Sequence, residues 1–542
     1  MQDAPVNLAQ VLQHAARFHS EVEVVSRQVE DDTLHRYTYA DAYRRSKQLA
    51  NALQRLGVSG GDRVATLAWN TFRHLEAWYA ITGQGAICHT VNPRLFEQQV
   101  EYIVNHAEDK IVLVDITFVP LLEKLQGKLR SVEHFIVLTD EANMPQTELR
   151  NAICYESLIA DETDQFEWPS FAEDTAAGLC YTSGTTGDPK GVVYTHRSNL
   201  LHAYVVNGKD VLAIAGSDSV LMVVPMFHAN SWGLAYSCPM VGAKLVLPGA
   251  KMDGASIYEL LQDEEVTFSA AVPTVWNMLL GHLEENELQL PSLEEIMVGG
   301  SAVPRRIVES FDQEYGVTVI HGWGMTEMSP IGTICRLKPS MKKLSYDEQV
   351  DIRLKQGTPV FGVGMKIVDE DDVELPHDGT TFGRLLVRGP WTVKRYFRDE
   401  KDCVDADGWF DTGDVATIDQ YGYMQITDRS KDLIKSGGEW ISSVDLENAA
   451  MGHEQIELAA VIGVTHPKWE ERPLLVVKRG GDGSVTGDEV KSFLSDKVAK
   501  WWLPEDVVFV DEIPLTATGK ISKLTLRKQF SDYQFPGLEE NG

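Results

Sequence analysis

The stretch Tyr181-Thr182-Ser183-Gly184-Thr185-Thr186-Gly187-Asp188-Pro189-Lys190-Gly191 makes a poor core and a poor helix. It suits a different task. Gly184 and Gly187 permit positive φ and close backbone approach, so successive N–H groups can turn toward one anion. The hydroxyls of Thr182, Ser183, Thr185 and Thr186 add donors and Lys190 a positive charge, which is the chemistry of a loop that holds a polyphosphate. The P-loop of nucleotide hydrolases needs Gly-x4-Gly-Lys-Ser/Thr, whereas here Pro189 precedes the lysine and Gly191 follows it. A flexible Gly/Ser/Thr linker is the plainer explanation. Hydrophobic segments on both sides of the loop favour phosphate binding over it.

Outward from this loop, short apolar runs alternate with helical periodicities, the pattern of an α/β protein. Upstream, Leu49, Ala50, Leu53 and Leu56 share one face of a helix over 41–56, capped by Gly57. Residues 62–68, 111–114 and 135–138 read as strands and 75–82 as a helix. Downstream, strands at 219–224, 267–272, 295–298 and 317–320 alternate with helices at 255–262, 274–284 and 305–315. Three of these strands run into polar or Gly-rich signatures: Pro225-Met226-Phe227-His228, Gly299-Gly300-Ser301-Ala302 and His321-Gly322-Trp323-Gly324-Met325-Thr326-Glu327. Ligands of open α/β sheets sit at the carboxyl ends of strands, so the three should converge on one crevice facing the phosphate loop. Beyond 330 the spacing at 357–368 and 383–388 predicts an antiparallel, barrel-like part. The charged run Asp428-Arg429-Ser430-Lys431-Asp432 reads as a linker. A small α+β domain follows, with strands at 459–463, 474–477 and 507–510 and helices at 444–450 and 487–499.

Length and charge narrow the function. A chain of 542 residues exceeds one core, so several domains are expected. With 80 acids against 49 bases the formal net charge is −31. That argues against nucleic-acid or anionic-membrane binding and requires local basic clusters for any anionic ligand. The six cysteines are scattered without Cys-x-x-Cys or ligand-spaced Cys/His pairs, so neither a zinc site nor a disulfide framework is indicated. Neither a signal peptide nor an apolar run of membrane-spanning length is evident, and a cytoplasmic protein is expected.

Two further motifs complete an ordered set with the phosphate loop and the stretch ending in Glu327. They are Trp409-Phe410-Asp411-Thr412-Gly413-Asp414 and Pro514-Leu515-Thr516-Ala517-Thr518-Gly519-Lys520. With the segment 428–438, the set resembles the adenylate-forming family of acyl-CoA synthetases, firefly luciferases and peptide-synthetase adenylation domains, over nearly the whole chain. Within it, Lys435-Ser436-Gly437-Gly438-Glu439-Trp440-Ile441-Ser442 is similar to the medium- and long-chain branch, and within that to methylmercaptopropionate-CoA ligases. The resemblance implies an AMP-binding domain over 1–428 of doubly wound α/β sheets with its barrel-like part at about 335–428. It also implies a hinge at 429–432 and a mobile domain over 433–542. It further implies ATP, Mg²⁺ and coenzyme A as cofactors, a small carboxylic acid as substrate, and a homodimer.

The same resemblance assigns roles. Residues 182–187 and Lys190 would hold the β- and γ-phosphates, Glu327 would ligate Mg²⁺, and Thr326 would meet the α-phosphate. Lys520 would bridge the carboxylate and the α-phosphate; read alone, it is an exposed turn lysine. Asp414 and Arg429 would bind the ribose. Gly300, Ser301, Ala302 and Pro304 would wall the adenine slot opposite His321, Gly322, Trp323, Gly324 and Met325. Lys431 and Asp432 fall at the hinge, and Lys435, Ser436, Gly437, Gly438, Glu439 and Trp440 would line the path of the pantetheine arm. For the anionic end of CoA, Arg472, Lys497 and Lys500 are candidates, with ordinary solvated lysines equally good as an account. His228, Trp232, Gly299, Trp323 and Pro330 would line the acyl pocket, although His228 and Trp232 alone are as well explained as core. Two indoles fill much of a tunnel and pack well against sulfur, which favours a short or medium acid, a thioether acid included. The alternatives are a medium- or long-chain fatty acyl-CoA synthetase, a luciferase-like oxygenase, and a carrier-linked adenylation module, the last disfavoured because the chain ends soon after Lys520.

Overall fold

The computed structural model describes residues 2–182, 188–429, 432, 434–436, 439–480, 483–516 and 520–536. The alternation of apolar runs and helices builds two large sheets. The first runs Ala152–Cys154, His134–Val137, Ile111–Val114, Arg63–Leu67, Ile87–Thr90, Ala176–Tyr181, Gly191–Thr195 in space and is parallel except for the last pair. Its central Ile-Val-Leu-Val strand is buried at every position, as a parallel strand covered on both faces must be. The second has nine strands in the order Thr358–Pro359, Ile331–Cys335, Thr318–Gly324, Glu295–Val298, Phe268–Ala271, Ser219–Leu221, Lys244–Leu247, Glu23–Arg27, Leu34–Thr38. Its middle is parallel and its edges antiparallel, so the carboxyl ends of six neighbouring strands share one rim.

Helix Phe72–Gly83 lies between the two sheets with all twelve residues buried. No polar face is needed there, so nothing in the spacing extends the reading at 75–82 to the first turn. Its charged members are met by partners: Arg73 by Glu30 and Glu156, Glu76 by Arg45 at 2.8 Å. The expected strand at 219–224 stops at Leu221. Beyond it Asn70 takes over the pairing, donating to Met222 O and Val224 O and accepting from Met226 N. One side chain from the first sheet thereby fixes the loop that carries His228.

The barrel-like part is a four-stranded antiparallel sheet, Gly364–Val368, Phe382–Arg388, Phe410–Ile418, Met424–Arg429. The run 357–368 is broken by Pro359 and Gly362, with Phe361 fully exposed between them. The C-terminal residues form a five-stranded sheet with a core on each face. Ala459, Val461, Leu475 and Val477 pack under helices Ser443–Met451 and Gly487–Ser495; Ala460, Ile462, Leu474 and Val476 pack against Leu526 and Phe535. This two-residue alternation is the pleat of a sheet buried on both sides. No helix among the described residues is long and apolar enough to cross a membrane.

Candidate active site

The phosphate loop is the tip of an antiparallel hairpin, not a strand-to-helix turn. Tyr181 pairs with Gly191, Thr182 N–H donates to Lys190 O at 2.9 Å, and Lys190 N–H donates to Thr182 Oγ1 at 3.2 Å. Ser183, Gly184, Thr185, Thr186 and Gly187 lie outside the described residues. Gly191 has no room for a side chain: a Cβ would stand 3.0 Å from Phe397 Cβ and 3.1 Å from Leu179 Cδ1. Lys190 is exposed, its Nζ 4.7 Å from the centre of the Tyr396 ring.

The strand-end signatures do converge. Gly300, at φ +84°, leads out of strand Glu295–Val298, and a Cβ there would lie 3.1 Å from Val272 Cγ1, at the end of the neighbouring strand. The same position lies 3.8 Å from Lys520 Cε. The C-terminal part of the chain thus brings Lys520, which precedes helix Lys523–Gln529, to the rim of the nine-stranded sheet. Lys520 also acts on His228, whose basicity is pushed down to about 4 by burial first and by that cation second. His228 is therefore a neutral imidazole. Pro304 caps helix Arg305–Gln313; Ser301 is exposed beside it and Ala302 half-buried.

Trp323, next to last in the neighbouring strand, lies against Gly332, where a Cβ would fall 2.5 Å from its ring, and its Nε1–H donates to Asp414 Oδ2 at 3.2 Å. Asp414 is 2% exposed on strand Phe410–Ile418, directly across from Arg429 in the antiparallel register; the Arg429 side chain lies outside the described residues. Gly324 admits the Pro330 carbonyl against its Cα, and Met325 N–H bonds that carbonyl at 3.1 Å. Thr326 and Glu327 follow, both nearly buried. Tyr194 O–H donates to Thr326 O at 2.7 Å and Tyr396 O–H to Glu327 Oε1 at 2.9 Å. His321 sits behind this rim: its Nδ1 bonds Leu354 O at 3.0 Å, and burial holds it down to about 4. Gly322 packs on Met297 and Ile334. Among the described residues no three His, Cys, Asp or Glu form a metal cluster. A lone hard carboxylate such as Glu327 fits magnesium, which takes its other ligands from phosphates and water.

The acyl-pocket candidates meet through an unusual backbone. Ala229, Asn230, Ser231 and Trp232 have φ of 43, 54, 51 and 52°, followed by Gly233 at 87°. This left-handed turn is tied by Asn230 Nδ2 to Asn199 Oδ1 at 2.9 Å and by Ser231 Oγ–H to Val224 O at 2.8 Å. It lays Trp232 on Gly299: a Cβ there would stand 2.9 Å from Trp232 Cη2 and 3.1 Å from Gly322 O.

The remaining candidates are spread across the C-terminal sheet. Gly437 and Gly438 lie outside the described residues, as do the side chains of Lys435, Glu439 and Trp440, though the backbone pairs Ser436 with Glu439 in a hairpin. Lys431 is also outside them; Asp432 forms an ion pair with Arg527 at 2.7 Å. Arg472 is spent inside the small domain, bonding Glu505, Ser436 Oγ and the Trp501 and Leu503 carbonyls, and is not an open anion contact. Lys497 and Lys500 are exposed. Tyr396, Tyr194 and Asn70 belong to no motif and were visible only once the fold brought them in.

The AMP-binding enzyme model matches residues 12–397, and the AMP-binding enzyme C-terminal domain model matches 445–520. The chain belongs to the AMP-binding enzyme family, in its acyl-CoA ligase group. Family members join an acid to coenzyme A at the expense of ATP, with magnesium as the general metal. A 3-methylmercaptopropionyl-CoA ligase of Ruegeria lacuscaerulensis is 46% identical over 532 residues, 98% of each chain. A medium-chain-fatty-acid–CoA ligase of Ectopseudomonas oleovorans is 46% identical over 525 residues, 97% of this chain and 96% of its own. The crystal structure of an anthranilate CoA ligase with anthranoyl-AMP superposes with a TM-score of 0.86 at 25% identity, covering 98% of this chain and 99% of that one.

Proposed function

We propose that this ligase activates a short or medium carboxylic acid through an acyl-adenylate, with 3-methylmercaptopropionate the first candidate. The observation that carries the reading is the position of Lys520 beside Gly300 and His228. In the first half-reaction the carboxylate attacks the α-phosphate of ATP and pyrophosphate leaves. Two anions must meet, so a preorganised cation at their junction lowers the barrier. Lys520 supplies it, and neutral His228 beside it can donate a hydrogen bond to the carboxylate without competing for that charge. The hairpin at 182–190 would grip the β- and γ-phosphates, Thr326 the α-phosphate and Asp414 the ribose hydroxyls, held in place by Trp323 Nε1–H. Gly300, Ser301, Ala302 and Pro304 would form one adenine wall and Gly322, Trp323, Gly324 and Met325 the other, with His321 bracing it from behind. Magnesium, when bound, neutralises phosphate charge; Glu327 would be its protein ligand.

In the second half-reaction the thiol of CoA attacks the acyl carbon and AMP leaves. Lys520 stands where that thiol must enter. We assign 429–432, with Lys431 and Asp432, as a hinge on which the domain 433–542 turns relative to 1–428. That turn withdraws Lys520 and brings in Lys435, Ser436, Gly437, Gly438, Glu439 and Trp440, a gating role for the linker. Trp232, Gly299, Trp323, Pro330 and His228 form the proposed acyl pocket, in which a thioether can lie on indole. The equally similar medium-chain relative supports a second reading, a six- to ten-carbon fatty acid at about the same pocket depth. The deciding experiment is CoA-thioester formation across acids from propionate to palmitate with thioether acids included. A maximum at palmitate overturns the short-acid reading. The enzyme is proposed to be cytoplasmic and homodimeric; light scattering of the purified protein tests the second and fractionation of cells the first.

A further inference from the structure

The backbone of residues 391–397 grips both halves of the proposed phosphate-binding apparatus. Val393 N–H donates to Glu327 O and Phe397 N–H to Gly191 O, each at 2.7 Å. Between these anchors Tyr396 reaches both functional side chains. Its hydroxyl donates to Glu327 Oε1 at 2.9 Å, and its ring lies 4.7 Å from Lys190 Nζ. Glu327 follows a strand of the nine-stranded sheet and Lys190 enters the edge strand of the seven-stranded one, so their relative placement is not fixed by either sheet alone.

A phenol suits this task physically. It offers a donor to the carboxylate and a π-face to the ammonium while carrying no charge, so it orients both groups without neutralising either. A ligating carboxylate depends on such hydrogen bonds for its orientation.

We propose that Tyr396 is a positioning residue that sets Glu327, as the magnesium ligand, and Lys190, as the phosphate tether, in one frame. This rests on the roles given to those two residues above. Three readouts test it: Mn²⁺ affinity of the enzyme–ATP complex, followed by the EPR signal of free Mn²⁺; affinity for metal-free ATP by calorimetry; and thioester formation from supplied acyl-adenylate. Tyr396→Phe keeps the ring, so metal affinity should fall about ten-fold, with metal-free ATP affinity and the thioester step unchanged. Tyr396→Leu should show the same metal loss and, with the ring gone, weaken metal-free ATP by about five-fold as well. Glu327→Gln is the control for the underlying reading. If Glu327→Gln loses metal affinity but folded Tyr396→Phe keeps it, the role of Tyr396 is overturned. If Glu327→Gln itself binds Mn²⁺ as the parent does, the metal-ligand reading falls and takes the proposal with it. Tyr396→Phe decides the matter even if Tyr396→Leu does not fold.

Discussion

Trp232→Ala removes an indole that is 8% exposed and whose edge stands 2.9 Å from where a Gly299 Cβ would be. The space vacated adjoins Gly299 and the Gly322 carbonyl, at the floor of the proposed acyl pocket. Each additional substrate methylene enclosed there is worth about 0.8 kcal/mol, roughly four-fold in kcat/KM. An acid three methylenes longer than the one preferred by the parent enzyme should therefore gain about 2.4 kcal/mol. The preferred acid should lose its contact with the indole, at about 1–3 kcal/mol. Together the two effects shift relative preference on the order of 10³-fold toward the longer acid. The assay is kcat/KM for thioester formation over straight-chain acids of increasing length. Truncating a buried Trp costs about 3–5 kcal/mol of stability, so thermal unfolding is followed in parallel. A folded variant whose profile keeps its maximum at the parent chain length refutes the reasoning, and Trp232 is then a core residue.

Gly299→Ala is the opposite perturbation. Its methyl meets Trp232 and the Gly322 carbonyl, so the pocket narrows and kcat/KM for the longest accepted acids should fall most; a uniform loss across chain lengths counts against a pocket wall at 299. Lys520→Ala should slow adenylate formation, read as pyrophosphate exchange, by roughly 10²–10³-fold while leaving thioester formation from supplied acyl-adenylate nearly intact. Equal loss in both half-reactions contradicts the division of labour. Acid should destabilise the fold. Burial holds His35, His74, His196, His228 and His321 at about 4 and His202 at about 3 against an ordinary 6.5. Between those values the unfolded chain binds more protons than the folded one, so stability drops as pH falls through the window. Asp115, raised to about 7 by burial, acts in the opposite sense, as do Glu76 and Asp109, but the histidines outnumber them. The urea midpoint should be lower at pH 5 than at pH 7.5, and an unchanged midpoint would contradict this balance.

Strands and strand ends were legible because a parallel sheet writes its burial as short apolar runs followed by ligand-facing loops. A crevice at the signatures 225–228, 299–302 and 321–327 was read from that pattern alone, with the strand before the first of them taken three residues too far. What stayed hidden was hidden for physical reasons. Helix Phe72–Gly83, read at 75–82, has no polar face to mark its first turn, and hairpin Glu23–Thr38 has few residues and one half-buried strand. Tyr396 and Asn70 act through single side chains across long sequence separations, and neither has a spacing rule that would announce it. The opposite case is Arg472, whose charge suggested an anion contact until its four internal bonds accounted for it.

The left-handed turn at 229–232 carries the strongest physical argument for where specificity resides. A left-handed conformation costs a non-glycine residue roughly 1–2 kcal/mol, so four in succession cost roughly 4–8 kcal/mol. That is comparable with the whole net stability of a typical domain, about 5–15 kcal/mol. An ordinary right-handed turn would remove the cost, yet would swing Trp232 off Gly299. Two hydrogen bonds, from Asn230 and Ser231, together with burial of the indole, hold the turn against its own preference. Such strain persists where the surrounding structure over-determines it, and it clusters at ligand clamps. If the indole were only filling a core, a residue in relaxed geometry would fill it at lower cost. The strain is therefore best understood as setting the position of one ring edge against Gly299, beside the Gly322 carbonyl, at the floor of the proposed acyl pocket.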